Sequence, residues 1–248
     1  MNPVSIFTLI YAALVIWCVP SCEAQTTDIR IVSTATFLSG PVAPDSLVAI
    51  LGNGLTASTA AHDPGEPLPE SLAGTSVTAT DSAQNTRPVH LLFASPGQIN
   101  FLLPAETIPG IATLSVMNAN GDVVSGEITV VPTAPGLYSL DGSGTGTAIT
   151  QVLRVHSDGT GGEPDGHEDD SGQLFLFLYG TGIRNAESVE VTANGQKLAV
   201  LFAGPEGGSP GLDQVNVAVP ASLAGGQQLD LVLVADGQSS NPVSIVIQ

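Results

Sequence analysis

Apolar residues in this chain fall into short runs rather than long periodic stretches. "SLVAIL" (46–51), "TSVTAT" (75–80), "VHLLFA" (89–94), "INFLLP" (99–104), "ATLSVM" (112–117) and "EITVV" (127–131) have strand length. They are rich in Val, Ile, Leu and Thr and are bounded by Gly, Pro, Asn and Asp, which predicts β-strands joined by turns. No stretch keeps a helical period over about 11 residues without a Gly or Pro, so the fold class is all-β and the spacing predicts a sandwich. Alternation assigns the faces. In "QINFLLP" (98–104), Ile99, Phe101 and Leu103 point one way, toward a core, and Gln98 and Asn100 the other.

The same order of words then recurs. "LVAILGNGL" (47–55) is answered by "FLFLYGTGI" (175–183), "LLFA" (91–94) by "VLFA" (200–203), and "QINFLLP" by "QVNVAVP" (214–220). In the second copy Val215, Val217 and Val219 face the core, and Gln214 and Asn216 take the opposite side. Asn-Gly in "NANGD" (118–122) and Asp-Gly in "ADGQ" (235–238) predict a closing hairpin in each copy, because these pairs tolerate positive φ. The pattern predicts an internal duplication giving two tandem Ig-like β-sandwich domains, 25–131 and 172–248. Between them, 132–171 is expected to be a linker holding one strand, Ala148 to Val155, and an acidic loop. The amides Gln98, Asn100, Gln214 and Asn216 are expected to satisfy the backbone of a neighbouring loop or strand.

The N-terminus changes the picture of location. Ile6 to Val19 is an uncharged apolar run of signal-peptide length, too short for a comfortable membrane span, so 1–24 reads as an export signal and the protein as secreted or extracytoplasmic. Two processing routes fit. "CEA" ends in a small residue and would leave Gln25 first, whereas "VPSC" loosely resembles a lipobox that would make Cys22 a lipidated anchor, the one route to a membrane. Both cysteines, Cys18 and Cys22, lie in this segment, so the rest of the chain folds without a disulfide.

Charge narrows the partners. Against 23 Asp and Glu stand 5 Lys and Arg, a net charge of −18 at pH 7. A field of that sign repels phosphate backbones and excludes nucleic-acid binding through a basic patch. The segment "SDGTGGEPDGHEDDSG" (157–172) gathers Asp158, Glu163, Asp165, Glu168, Asp169 and Asp170, with His156 and His167 close by. Carboxylates spaced by glycine can converge on Ca²⁺, but the spacing matches neither an EF-hand nor a zinc pattern. The segment reads as a solvated acidic loop, with weak Ca²⁺ binding as the alternative. No other cofactor is expected.

Catalytic patterns fare worse. "GGSPG" (207–211) formally matches G-x-S-x-G with Ser209 as nucleophile, but that motif needs a helix after the serine, and here Pro210 and an alternating strand follow. "GNG" (52–54) and "GTG" (180–182) follow strands without opening a helix, so they read as sharp turns. His62 and His90 are isolated in sequence. The chain is therefore expected to be a non-enzymatic interaction, adhesion or scaffold module for a protein or cell-surface partner. The alternatives are a Ca²⁺-dependent binding module or an exported hydrolase with a site these patterns miss.

"PVAPDSLVAILGNGL" (41–55), "PLPESLAGTSVT" (67–78), "LLFASPGQINFLLP" (91–104), "APGLYSLDGSGTG" (134–146), "LFLYGTGIR" (176–184), "LFAGPEGGSPGLDQVNVAVP" (201–220) and "SSNPVSIVIQ" (239–248) span nearly all of the chain beyond the signal. Together they resemble the uncharacterised Solibacter-type C-terminal domain of secreted acidobacterial proteins. The resemblance implies an extracytoplasmic, duplicated Ig-like unit similar to IPT/TIG domains and implies no activity. Relatives usually carry the unit behind a larger repeat array, and they hold a different loop where this chain has its acidic segment.

Overall fold

The computed structural model describes residues 29–63, 65–156, 160–162 and 172–247. The segment 1–24 with Cys22, and Asp158, Glu163, Asp165, Glu168, Asp169 and Asp170, lie outside the described residues. The protein is all-β, with 52% of it in strands. The described residues contain no α-helix, only a 3-10 turn at Ala221–Leu223. None of their helices is long and apolar enough to cross a membrane.

The first half contributes β1 (Arg30–Ser33), β2 (Leu47–Leu51), β3 (Thr75–Thr80), β4 (Thr86–Pro88), β5 (His90–Ser95), β6 (Gln98–Leu102), β7 (Gly110–Met117) and β8 (Val123–Val130). One sheet runs β1-β2-β6-β5 and ends on the short strand Ala60–Ala61; the other runs β8-β7-β3 and ends on Ser71–Leu72, with β4 also on β3. Between them lie the alternating inward residues: Ile99, Phe101 and Leu103 are fully buried, together with Ile50, Leu91 and Leu114. Burying side chains of this size contributes about 1.5–3 kcal/mol each.

The second half contributes β9 (Thr150–Val155), β10 (Gln173–Thr181), β11 (Val189–Ala193), β12 (Gln196–Pro205), β13 (Asp213–Val219), β14 (Gln228–Ala235) and β15 (Val243–Val246). Its strands run β9-β10-β13-β12-β11-β14, with β15 on β14. The strand β12 serves both layers, pairing with β11 through Gln196–Leu198 and with β13 through Ala199–Pro205. In the first half the corresponding stretch is broken at Val89 into β4 and β5. The second core holds Val215, Val217 and Val219 with Leu176, Leu178 and Leu231, and it shares no residue with the first.

Strand registers coincide at the repeated words. Ile50 faces Ile99 and Ala49 faces Asn100, as Leu178 faces Val215 and Phe177 faces Asn216. A register shift falls between Leu91 and Phe93 in one half and between Val200 and Phe202 in the other, each leaving one residue of "LLFA" or "VLFA" without a partner opposite. Both glycine turns behave as expected, with Gly54 at φ 66 and Gly182 at φ 75. Asp236 and Gly237, at φ 46 and 80, form the two-residue hairpin between β14 and Gln238–Ser239.

The segment expected to be a linker is woven into the second half. Gly136–Leu137 and β9 both pair with β10, and Leu137 and Ala148 belong to the second core. The strand expected over 148–155 joins the second sheet as its apolar run suggests, whereas Gly136–Leu137 is too short to announce itself in the sequence.

One buried carboxylate organises the loop between β3 and β4. Asp81 is 1% exposed and accepts hydrogen bonds from the Ala83 and Asn85 backbone N–H groups, both at 3.0 Å, from Asn85 Nδ2 and from Arg87 Nη1 at 2.9 Å. Burial pushes the carboxyl up, but the Asn85, Arg87 and Ile108 donors outweigh it and hold it well below the ordinary carboxylate range. A carboxyl depressed in the folded state stabilises fully above its unfolded value of about 3.9, and the contribution fades as pH falls below about 4. Urea unfolding from pH 7 to pH 2 is expected to show a falling acid limb that is shallower in Asp81→Asn; identical limbs would contradict the assignment.

Candidate functional site

The two halves meet along the turns that end β10 and begin β13. Thr181 leaves β10 and accepts the Leu47 N–H on its Oγ1 at 2.9 Å, while donating to the Gly211 carbonyl at 2.8 Å. Asn185 Nδ2 donates to the Pro44 carbonyl at 3.1 Å, and the Thr34 and Tyr138 hydroxyls lie 2.8 Å apart. Close contact requires glycine at 211: with φ 74, a Cβ there would sit 2.6 Å from Leu47 Cγ and 2.8 Å from Leu102 Cδ1.

An ionic clamp sits at the centre of this seam. Asp213, with no exposed surface, accepts the Ile183 N–H at 2.7 Å and the Arg184 N–H at 3.2 Å on Oδ2. Its Oδ1 takes Arg184 Nε at 2.6 Å, while Arg184 Nη1 crosses to Asp45 Oδ2 at 2.6 Å and Nη2 donates to the Leu212 carbonyl at 2.9 Å. Burial pushes the Asp213 carboxyl up against the pull of the Ile183 and Arg184 donors. Burial alone would weaken the Arg184 cation, but Asp213 and Asp45 hold it further up than usual. A buried carboxylate that has one guanidinium as its ionic partner depends on that partner.

The corresponding turn in the first half is built without charge. Leu55, the counterpart of Ile183, donates its N–H to the Pro96 carbonyl at 3.1 Å, and Gly52 donates to the Gly97 carbonyl at 3.1 Å. In the second half the side chain of Asp213 replaces a backbone acceptor, and the replacement brings in Arg184. Sequence reasoning missed this pair. The signal was present: Arg184 is one of 5 basic residues, and Leu212-Asp213 is the insertion that distinguishes "SPGLDQVN" from "SPGQIN".

Beside the clamp, the seam opens into a cleft of about 920 Å³. Leu47, His62 and Leu92 line it from the first half, and Tyr138, Tyr179 and Leu212 from the second, with Glu66 and Glu206 also at its surface. Residues 206–212 form a closed loop in which the Glu206 N–H donates to the Leu212 carbonyl at 2.9 Å. Glu206 Oε2 accepts the Gly208 and Ser209 N–H groups at 2.8 and 2.9 Å, which fixes the carboxylate. The Tyr138 hydroxyl is pushed up to about 12 by burial, so it stays protonated. His62 Nδ1 is buried and makes no hydrogen bond.

The glutamine and asparagine side chains and Ser209 lie within the described residues. Gln98 Nε2 donates to Asn100 Oδ1 at 2.7 Å, and Gln214 Nε2 to Asn216 Oδ1 at 2.7 Å. Each glutamine amide bonds the asparagine two residues on, on the face away from the core. Ser209 is exposed in the 206–212 loop with the strand β13, not a helix, after it. It lines the same cleft as His62, yet no hydrogen bond joins the two among the described residues. Within that same set no three His, Cys, Asp or Glu side chains group closely enough to hold a metal.

Substitutions at the clamp and at its glycine separate charge from packing. Arg184→Leu strands the Asp213 carboxylate and is expected to cost about 3–5 kcal/mol in urea unfolding, whereas Asp45→Asn, at a 30% exposed partner, costs about 1 kcal/mol or less. Equal losses would contradict the hierarchy. Gly211→Ala leaves every ion pair in place and is expected to lower the unfolding midpoint through overlap with Leu47 and Leu102, an effect that Leu47→Ala partly rescues. Comparison of the chain with known protein-family models and with curated proteins finds no match.

Proposed function

We propose that the protein is an exported, non-catalytic binding module made of two Ig-like units that arose by internal duplication, and that it belongs to the Solibacter-type family whose motifs it carries. Coincident registers and paired strand irregularities in the two halves support the duplication. The apolar segment before residue 25 supports export. The partner is a protein or another cell-surface component, and contact with a membrane comes only through lipidation of Cys22.

The observation that carries the binding reading is the cleft at the seam. The halves are held together by a buried ionic clamp, and the turn that forms the clamp also supplies a wall of an open, mixed apolar and acidic cleft. Clefts between domains, lined by apolar and aromatic side chains with a few fixed polar groups, are where proteins commonly place ligand sites. Repeated sheets supply a rigid frame, and the differing loop supplies the specific surface.

The exported protein, purified from the producing cells and fluorescently labelled, is expected to bind washed cell envelopes saturably and to be displaced by unlabelled protein. It is expected to turn over no ester, peptide or glycoside substrate. Turnover that Ser209→Ala abolishes would overturn the reading in favour of a hydrolase.

A further inference from the structure

We propose that the seam cleft is a site for a small organic cation, a protonated amine carried on an apolar body. This rests on the reading of the protein as a binding module and names the chemistry that module takes. Among the described residues, Glu66 and Glu206 supply carboxylates at the cleft surface beside His62, and no Lys or Arg lines it. Around them stand the aliphatic walls of Leu47, Leu92 and Leu212 and the rings of Tyr138 and Tyr179. Aromatic faces beside carboxylates attract a cation through the ring quadrupole and through charge, and aliphatic walls receive its apolar body.

Two further features favour a cation over an anion or a neutral polar ligand. Glu206 is held in place by the Gly208 and Ser209 N–H groups on Oε2, while Oε1 makes no hydrogen bond within the described structure. The whole chain carries −18, so its field draws cations in and repels anions. The volume of about 920 Å³ admits a ligand larger than a bare ammonium ion.

Three probes of one shape and different charge test this: phenethylammonium, 2-phenylethanol and phenylacetate, titrated into ¹⁵N-labelled protein and followed by NMR. Phenethylammonium is expected to shift the amides of Tyr138, Tyr179 and residues 206–212 saturably, with Kd at least about threefold below that of the alcohol and phenylacetate weakest. Glu66→Gln, on an exposed loop, is expected to weaken the ammonium about threefold and leave the alcohol unchanged. Tyr179→Leu is expected to erase most of the preference for the ammonium. No cleft shifts with phenethylammonium, equal affinity for all three probes, or preference for phenylacetate would overturn the proposal. Envelope binding that persists under any of those results would leave the binding-module reading standing.

Discussion

The arrangement depends on one buried carboxylate finding its cation. Asp213 is wholly enclosed and already accepts two backbone N–H groups, yet it needs the Arg184 guanidinium to offset the loss of water. Because a guanidinium donates from several nitrogens in a planar fork, the arginine that satisfies Asp213 can also reach Asp45 and the Leu212 carbonyl. One side chain thus ties the end of β10, the start of β13 and the loop before β2. The Thr181–Leu47, Asn185–Pro44 and Thr34–Tyr138 hydrogen bonds join the halves beside that junction.

The two halves show how a shared frame comes to carry a difference. Their central strands pair residue for residue, and their glutamine and asparagine side chains repeat the same 2.7 Å bond. At the turn the two halves differ in charge. A backbone carbonyl at Pro96 receives the Leu55 N–H, whereas the Asp213 side chain receives that of Ile183. The turn of the second half holds Leu212 and Asp213 and a Gly-rich approach where that of the first is neutral, and its longer loop walls the cleft.

Most of the fold was legible from the sequence because strand alternation and turn chemistry are local. Ile99, Phe101 and Leu103, with Val215, Val217 and Val219, are buried as their spacing predicts, and Asp236-Gly237 turns where an Asp-Gly pair should. The site was far less legible. His62 and Ser209 are 147 positions apart and share a cleft only because the halves dock, a fact that no local pattern records. Arg184 stands within a repeated word and looks like any surface arginine until Asp213 and Asp45 are brought to it. The strand expected over 148–155 was legible as part of the second sheet, but the pairing of Gly136–Leu137 was not, since a strand that short carries no periodicity to read.

¹⁵N relaxation of the intact protein tests the central claim most directly, because it reports whether the two halves tumble together. A single rotational correlation time shared by both halves is the result that a seam joined by the Arg184–Asp45 pair and the Thr181–Leu47, Asn185–Pro44 and Thr34–Tyr138 hydrogen bonds predicts. Two independent correlation times in the unaltered protein would contradict it.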